Sequence, residues 1–154
     1  MYVEKCKKEV LTVYDARTIA DYVIAYYERT DWVISNLKLQ KVLYFLQAQY
    51  LVSYNKRLFD DEIEAWGIGP VVPSVYQEYK IFGSASIPGF NKQMPRIVKE
   101  DAILIDEMLE RLRNMSSTYL TQITIRQTPW IRNYSSYCTR IIPVVEIRDY
   151  FKED

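Results

Sequence analysis

What chemistry this chain can perform is limited first by what it lacks. It contains no histidine. The commonest general base, the triads built on it and every histidine metal site are therefore excluded. Its carboxylates are densest at Asp60, Asp61, Glu62 and Glu64. Acidic side chains can bind a divalent cation or run acid–base chemistry. A calcium loop, however, needs spaced ligands around a sharp glycine turn, and this run has neither. A solvated loop is the expectation. Glu64 stands apart, because in an extended segment alternation puts it on the same face as Trp66. Lys38 and Lys41 lie three apart. Either their stems cover apolar surface while the amines reach water, or one of them pairs with Glu64. The pairing predicts that Lys41, Glu64 and Trp66 meet, with Trp66 anchored against Tyr44 or Gln47. Gly67-Ile68-Gly69 lacks the Gly-Lys-Ser/Thr ending of a phosphate loop. Without a histidine base, a serine or cysteine nucleophile would need an unusual lysine. No catalytic residue, metal or cofactor is expected, and the chain is not expected to be an enzyme.

Charge is segregated in one region. From Glu100 to Glu110 there are five acids and no base. From Arg111 to Val145 there are five arginines (Arg111, Arg113, Arg126, Arg132 and Arg140) and no acid or lysine. Tyr119, Trp130, Tyr134 and Tyr137 lie among them. Arginine with tyrosine and tryptophan is enriched in the hot spots of protein interfaces, and the same mix stacks on single-stranded RNA. Three expectations stand side by side: a structural role in which Arg111 and Arg113 neutralise the acidic helix, a protein partner, and a nucleic acid.

These segments must sit on elements that the rest of the chain supplies. With 154 residues the chain has the length of one domain, large enough to bury a core without a staple. Twenty basic and twenty acidic side chains cancel, which disfavours bulk nucleic acid as partner. The two cysteines, Cys6 and Cys138, cannot make a zinc site and suggest a reducing compartment. No secretory signal and no apolar run of membrane-spanning length is visible. A cytoplasmic protein with no membrane insertion is expected. Tyrosine is abundant, with 14 copies. Either many are core rings with wet hydroxyls, or a subset forms a recognition surface.

The apolar spacing predicts a helix capped by Asp15 and running to Arg29, with Ile19, Tyr22, Val23 and Tyr26 on its buried face. A second helix, capped by Ser35 or Asn36, runs to Tyr54. It is apolar on several sides, which places it at the centre of the fold. Asn55-Lys56 turns the chain into an extended segment. Pro73 opens a third helix to Phe82, and residues 83–96 form a loop. Further helices are expected over 99–113, from Ser116 or Ser117 to Gln127, to Tyr134 after a break at Thr128-Pro129-Trp130, and from Ile142-Pro143 to Phe151. The expected fold is mostly α, a compact single-domain bundle of roughly six helices. At most one short β element is expected, near residues 58–72.

Three phrases are familiar. Asn36-Leu37-Lys38-Leu39-Gln40-Lys41-Val42-Leu43-Tyr44 resembles the NLKLQKLLY helix of the Panacea domain family, the SocA-like antitoxins and GepA-like phage-associated proteins. Glu64-Ala65-Trp66-Gly67-Ile68-Gly69-Pro70-Val71-Val72-Pro73-Ser74-Val75-Tyr76 resembles that family's EAW-x-x-GPVVP-x-VY segment. Ile123-Thr124 and Thr128-Pro129-Trp130 resemble its late TH…PW signature. The histidine usual after that threonine is Ile125 here, so any role it has is absent. The resemblance assigns structural duties to Gln40, Lys41, Tyr44, Glu64, Trp66, Gly69, Pro70, Pro73, Tyr76, Thr124 and Trp130.

The resemblance implies an α-helical antitoxin that neutralises a co-encoded protein toxin by binding it. Alternatives are a nucleic-acid-binding regulator and an adaptor that delivers its toxin to a bacterial protease. Residues 1–14 are expected to be a short extension and 15–154 the domain. The expected partner-binding residues are Arg126, Arg132, Tyr134 and Tyr137. Trp130 is expected to be structural, locking the chain across the Pro129 break.

Overall fold

A computed structural model describes residues 13–89 and 92–153. Cys6 and nearly all of the expected extension lie outside the described residues. The first helix, α1 (Ala16–Arg29), starts where Asp15 accepts the Thr18 N–H at 2.7 Å. The second, α2 (Asn36–Tyr54), is capped by Ser35 and ends at Asn55 in the left-handed conformation. Both caps are the residue types that satisfy the orphan N–H groups of a first turn.

Two short strands follow, β1 (Glu64–Trp66) and β2 (Gly69–Val71). They pair antiparallel, with Glu64 opposite Val71 and Trp66 opposite Gly69. Pro73 takes the first position of α3 (Pro73–Tyr79), where its missing N–H costs nothing. A single 3₁₀ turn, Lys80–Phe82, completes the stretch expected as one helix. The acidic helix is α4 (Lys99–Leu112). Next come α5 (Ser117–Thr124), α6 (Thr128–Asn133) and α7 (Val144–Lys152). Between α6 and α7, Arg140–Ile141 forms β3, which the sequence did not announce. It pairs antiparallel with β1, giving the order β2-β1-β3. Two residues are too few to show a period.

The fold is mostly helical, and α2 is its axis. Leu39, Val42, Leu43, Leu46 and Ala48 are wholly buried, and α1, α3, α4, α5, α7 and β2 all pack on this helix. An element covered on every side has no polar face to show, and α2 was expected at the centre for that reason. The helix α1 brings Ile19, Ala20 and Val23 to the core, α4 brings Ile105 and Leu109, and α7 brings Ile147. Among the described residues no helix is long and apolar enough to cross a membrane.

The five acids of the α4 region are answered mostly by tyrosines. Tyr22 donates its hydroxyl to Asp106 at 2.6 Å and Tyr26 to Glu110 at 2.9 Å. The matched four-residue steps show that α1 and α4 run side by side in the same sense. Tyr14 donates to Asp101 at 2.8 Å, just before α1. Burial, then the neighbouring carboxylate, pushes the Tyr26 hydroxyl up to about 12. Many of the core rings thus have partnered rather than wet hydroxyls.

Candidate protein-binding edge

The positioning of the candidate edge begins on α2, along the stripe of Asn36, Gln40, Tyr44 and Gln47. Each of these polar side chains is buried, and a buried polar group must find a partner or carry a penalty of a few kcal/mol. All four find one. Asn36 donates to the Tyr76 carbonyl at 3.1 Å, and Gln40 donates to Asn36 at 2.9 Å. Gln40 Oε1 then accepts the Val72 N–H at 2.9 Å. Gln47 accepts the Leu58 N–H at 2.7 Å and donates to the Phe59 carbonyl at 2.9 Å. Tyr44 donates to Gln127, between α5 and α6, at 2.7 Å. The extended segment from Leu58 to Val72 is thereby fastened to the central helix at both ends.

Lys41 departs from both expectations made for it. Its side chain is wholly buried, so the amine does not reach water. Nor does it pair with Glu64: Nζ donates to the Pro70 carbonyl at 2.9 Å. A carboxylate on β1 is opposite Val71, whereas the amine meets the main chain of β2. With no carboxylate to hold the charge, burial pulls the Lys41 ammonium down to about 7. Gly69 allows this approach. A Cβ there would lie 2.9 Å from Lys41 Cε and 3.1 Å from both Lys41 Nζ and Thr124 Oγ1. Its φ of +100° also favours glycine. Thr124 turns its hydroxyl back to the Leu120 and Thr121 carbonyls, each at 2.9 Å. Lys38 is also buried, and donates to the Arg113 carbonyl at the end of α4 at 2.9 Å, where a cation meets the negative end of a helix.

Glu64 and Trp66 do share a face, as alternation requires. Trp66 Nε1 donates to Glu64 Oε1 at 2.8 Å. The indole packs edge-on against Tyr76, with centroids 4.9 Å apart, in place of the expected Tyr44 or Gln47. Those two are already committed elsewhere on α2. Asp61, expected in a solvated loop, also has structural partners. It accepts the Ala16 N–H at 2.8 Å and the Ser74 hydroxyl at 2.6 Å, so it ties the start of α1 to the start of α3.

From this frame the chain builds an exposed edge. Trp130 Nε1 donates to the Trp66 carbonyl at 2.7 Å, which fixes α6 beside the β1–β2 turn. Tyr134 stacks on Trp130, 4.6 Å between centroids and 13° between planes. Its hydroxyl lies over Gly67, 3.8 Å from where a Cβ would stand. Ala65 lies opposite Arg140, which brings β3 to the same side. Asn133 joins α6 to α7 through Glu146 at 3.1 Å. Arg126 and Arg132 are exposed, and among the described residues neither guanidinium has an ion-pair partner. Tyr137 is 96% exposed and Tyr134 38%. Not marked in the sequence are three exposed isoleucines, Ile68, Ile131 and Ile141, which are 37%, 55% and 47% exposed. An isolated isoleucine in a short segment carries no signal of its direction.

Comparison with known proteins places the chain in a family. The family model described as "Antitoxin SocA-like, Panacea domain" matches residues 39–131, more than half of the chain, and the chain belongs to that family. Antitoxin SocA of Caulobacter vibrioides (strain NA1000 / CB15N) is 36% identical over 89 residues. That alignment covers 58% of this chain and 44% of the relative, so the chain matches less than half of the relative's length. No solved structure matches.

Proposed function

We propose that this chain is an antitoxin-type binding protein that neutralises a co-encoded protein toxin by direct contact. The membership in the SocA-like antitoxin family and the name of its Caulobacter relative support this role. One observation carries the mode of action. Arg126 and Arg132, which have no ion-pair partner among the described residues, flank in sequence the segment anchored at Trp130, and that segment leads into exposed Ile131, Tyr134 and Tyr137. Tyr134 is held in place by its stack on Trp130, and a ring fixed before binding adds contact at little ordering cost. The toxin would therefore meet Arg126, Arg132, Tyr134 and Tyr137, and the role requires no reaction. Residues 15–154 would act as one unit, since α1 and α7 complete the core outside the matched segment.

The test is rescue. The product of the neighbouring reading frame is expressed with the wild-type chain, with Arg126→Glu and with Arg132→Glu. The wild-type chain is expected to restore growth and to co-purify with that product. Each charge reversal is expected to weaken both by tenfold or more, because a reversed charge at a desolvated contact repels its former partner at roughly 2–5 kcal/mol. Circular dichroism is expected to show an unchanged fold. Full rescue by the double variant would place the contact elsewhere.

A further inference from the structure

The small sheet has two unlike edges. On the β2 side the main chain is occupied by α2, since Lys41 takes the Pro70 carbonyl and Gln40 the Val72 N–H. On the other side lies β3, exposed at both of its residues. Antiparallel pairs alternate between residues that exchange hydrogen bonds and residues that do not. The Ile142 N–H donates to the Ile63 carbonyl at 2.7 Å, and Glu64 lies opposite Ile141. Ile141 is therefore a non-bonded position, whose N–H and C=O both point away from β1. Among the described residues neither group has a partner.

We propose that this outer edge of β3 binds its partner by strand addition: an extended, acid-bearing segment of the toxin pairs with the main chain at Ile141. The inference rests on the antitoxin reading above and names how the contact is made. Main-chain pairing to a sheet edge is a recurrent way of holding an extended segment. Charge selects the occupant. The edge lies within the stretch from Arg111 to Val145, which carries five arginines and no acid. A second copy of this chain would bring its own Arg140 guanidinium near this one, and like charges across a strand pair repel. An incoming strand with carboxylates meets those guanidiniums instead. A short edge carrying Arg140 is also how a sheet avoids pairing with itself. Pro143 bounds the edge, since it has no N–H to offer.

The experiment is amide hydrogen exchange on the full chain, alone and with the full-length product of the neighbouring reading frame. In the free chain the Ile141 amide is expected to exchange much faster than that of Ile142. In the complex it is expected to slow by tenfold or more. Ile141→Pro removes the outward N–H together with the isoleucine side chain and leaves the Ile142–Ile63 bond, so the variant is expected to fold and to bind at least tenfold more weakly. Ile141→Ala, which removes the side chain and keeps the N–H, is expected to bind several-fold more tightly than Ile141→Pro. Ile141→Val keeps the N–H and is expected to bind as the wild type does. A toxin that binds while the Ile141 amide stays fast, or that binds Ile141→Pro at wild-type strength, overturns strand addition and leaves the antitoxin reading standing. Slow exchange of Ile141 in the free chain shows the edge filled by this chain itself and also overturns it. A wild-type chain that does not bind this product overturns both.

Discussion

Lys41 is the residue whose surroundings have the sharpest consequence. Its ammonium ordinarily loses its proton near 10.5, and burial brings that down to about 7. Between these values the unfolded chain holds a proton that the folded chain has shed. Stability must therefore rise with pH across that window, by up to about 1.4 kcal/mol per pH unit, and be unaffected by this group well below pH 7. Urea unfolding at pH 7 and pH 9.5 is expected to show the wild type gaining on the order of 2–3 kcal/mol relative to Lys41→Met. Above pH 10 the tyrosines work in the opposite sense. The Tyr14, Tyr26 and Tyr27 hydroxyls are each pushed up to about 12, chiefly by burial, so the folded state keeps protons that the unfolded state releases, and stability falls. Glu64 belongs at the other extreme. It accepts one indole N–H from a half-exposed position, so Glu64→Ala is expected to cost no more than about 1 kcal/mol in thermal or urea unfolding.

Among the elements, the β1–β2 hairpin depends on a glycine. Gly69→Ala would add a Cβ where Lys41 and Thr124 converge, at a φ that disfavours it. The substitution is expected to cost about 1–3 kcal/mol, measured as a shift of the urea midpoint. The helices that position this hairpin were legible because each repeats its pattern over several turns. Ile19, Tyr22, Val23 and Tyr26 mark one face of α1, and α2 is apolar nearly all round. Asp15, Ser35 and Pro73 announce their own ends. The strand β3 was not legible, because pairing with β1 is a matter of where the chain returns and not of its composition. The partner of Lys41 was equally hidden. A lysine and a glutamate in one motif suggest an ion pair, whereas the amine found a carbonyl. The inward amides on α2 did leave a signal: Asn36, Gln40 and Gln47 fall on one face of an otherwise apolar helix, where only hydrogen bonding can retain them.

For the whole molecule, neutrality conceals a divided charge. The net charge is +0, yet the α4 carboxylates and the arginine stretch from Arg111 to Val145 are separate in the chain. The partner is then expected to be recognised at short range. Raising salt from 50 to 500 mM is expected to slow association with the proposed toxin partner by roughly tenfold or less, since charge complementarity acts mainly on encounter. The rate of dissociation should hardly change. Stopped-flow mixing at several salt concentrations checks both. A nucleic-acid partner would instead give an equilibrium affinity falling by several powers of ten over that range.

Most of the buried and part-buried polar side chains that hold this molecule together address main-chain atoms. Asn36 meets the carbonyl of Tyr76, Lys38 that of Arg113, Lys41 that of Pro70, Gln47 that of Phe59, and Trp130 that of Trp66. Gln40 receives the N–H of Val72. A carbonyl is the same in every amino acid, so these fastenings are indifferent to which side chain stands at the receiving position. Arg113 can be exchanged without loosening Lys38. Tyr76 can be exchanged without releasing Asn36, although Trp66 would lose its ring contact. The consequence is a division of labour in mutational tolerance. The senders on α2 and α6 are fixed, while many of the outward side chains are free to be rewritten. A scaffold of this kind can acquire a new partner by surface substitution alone, with its interior architecture left as it is.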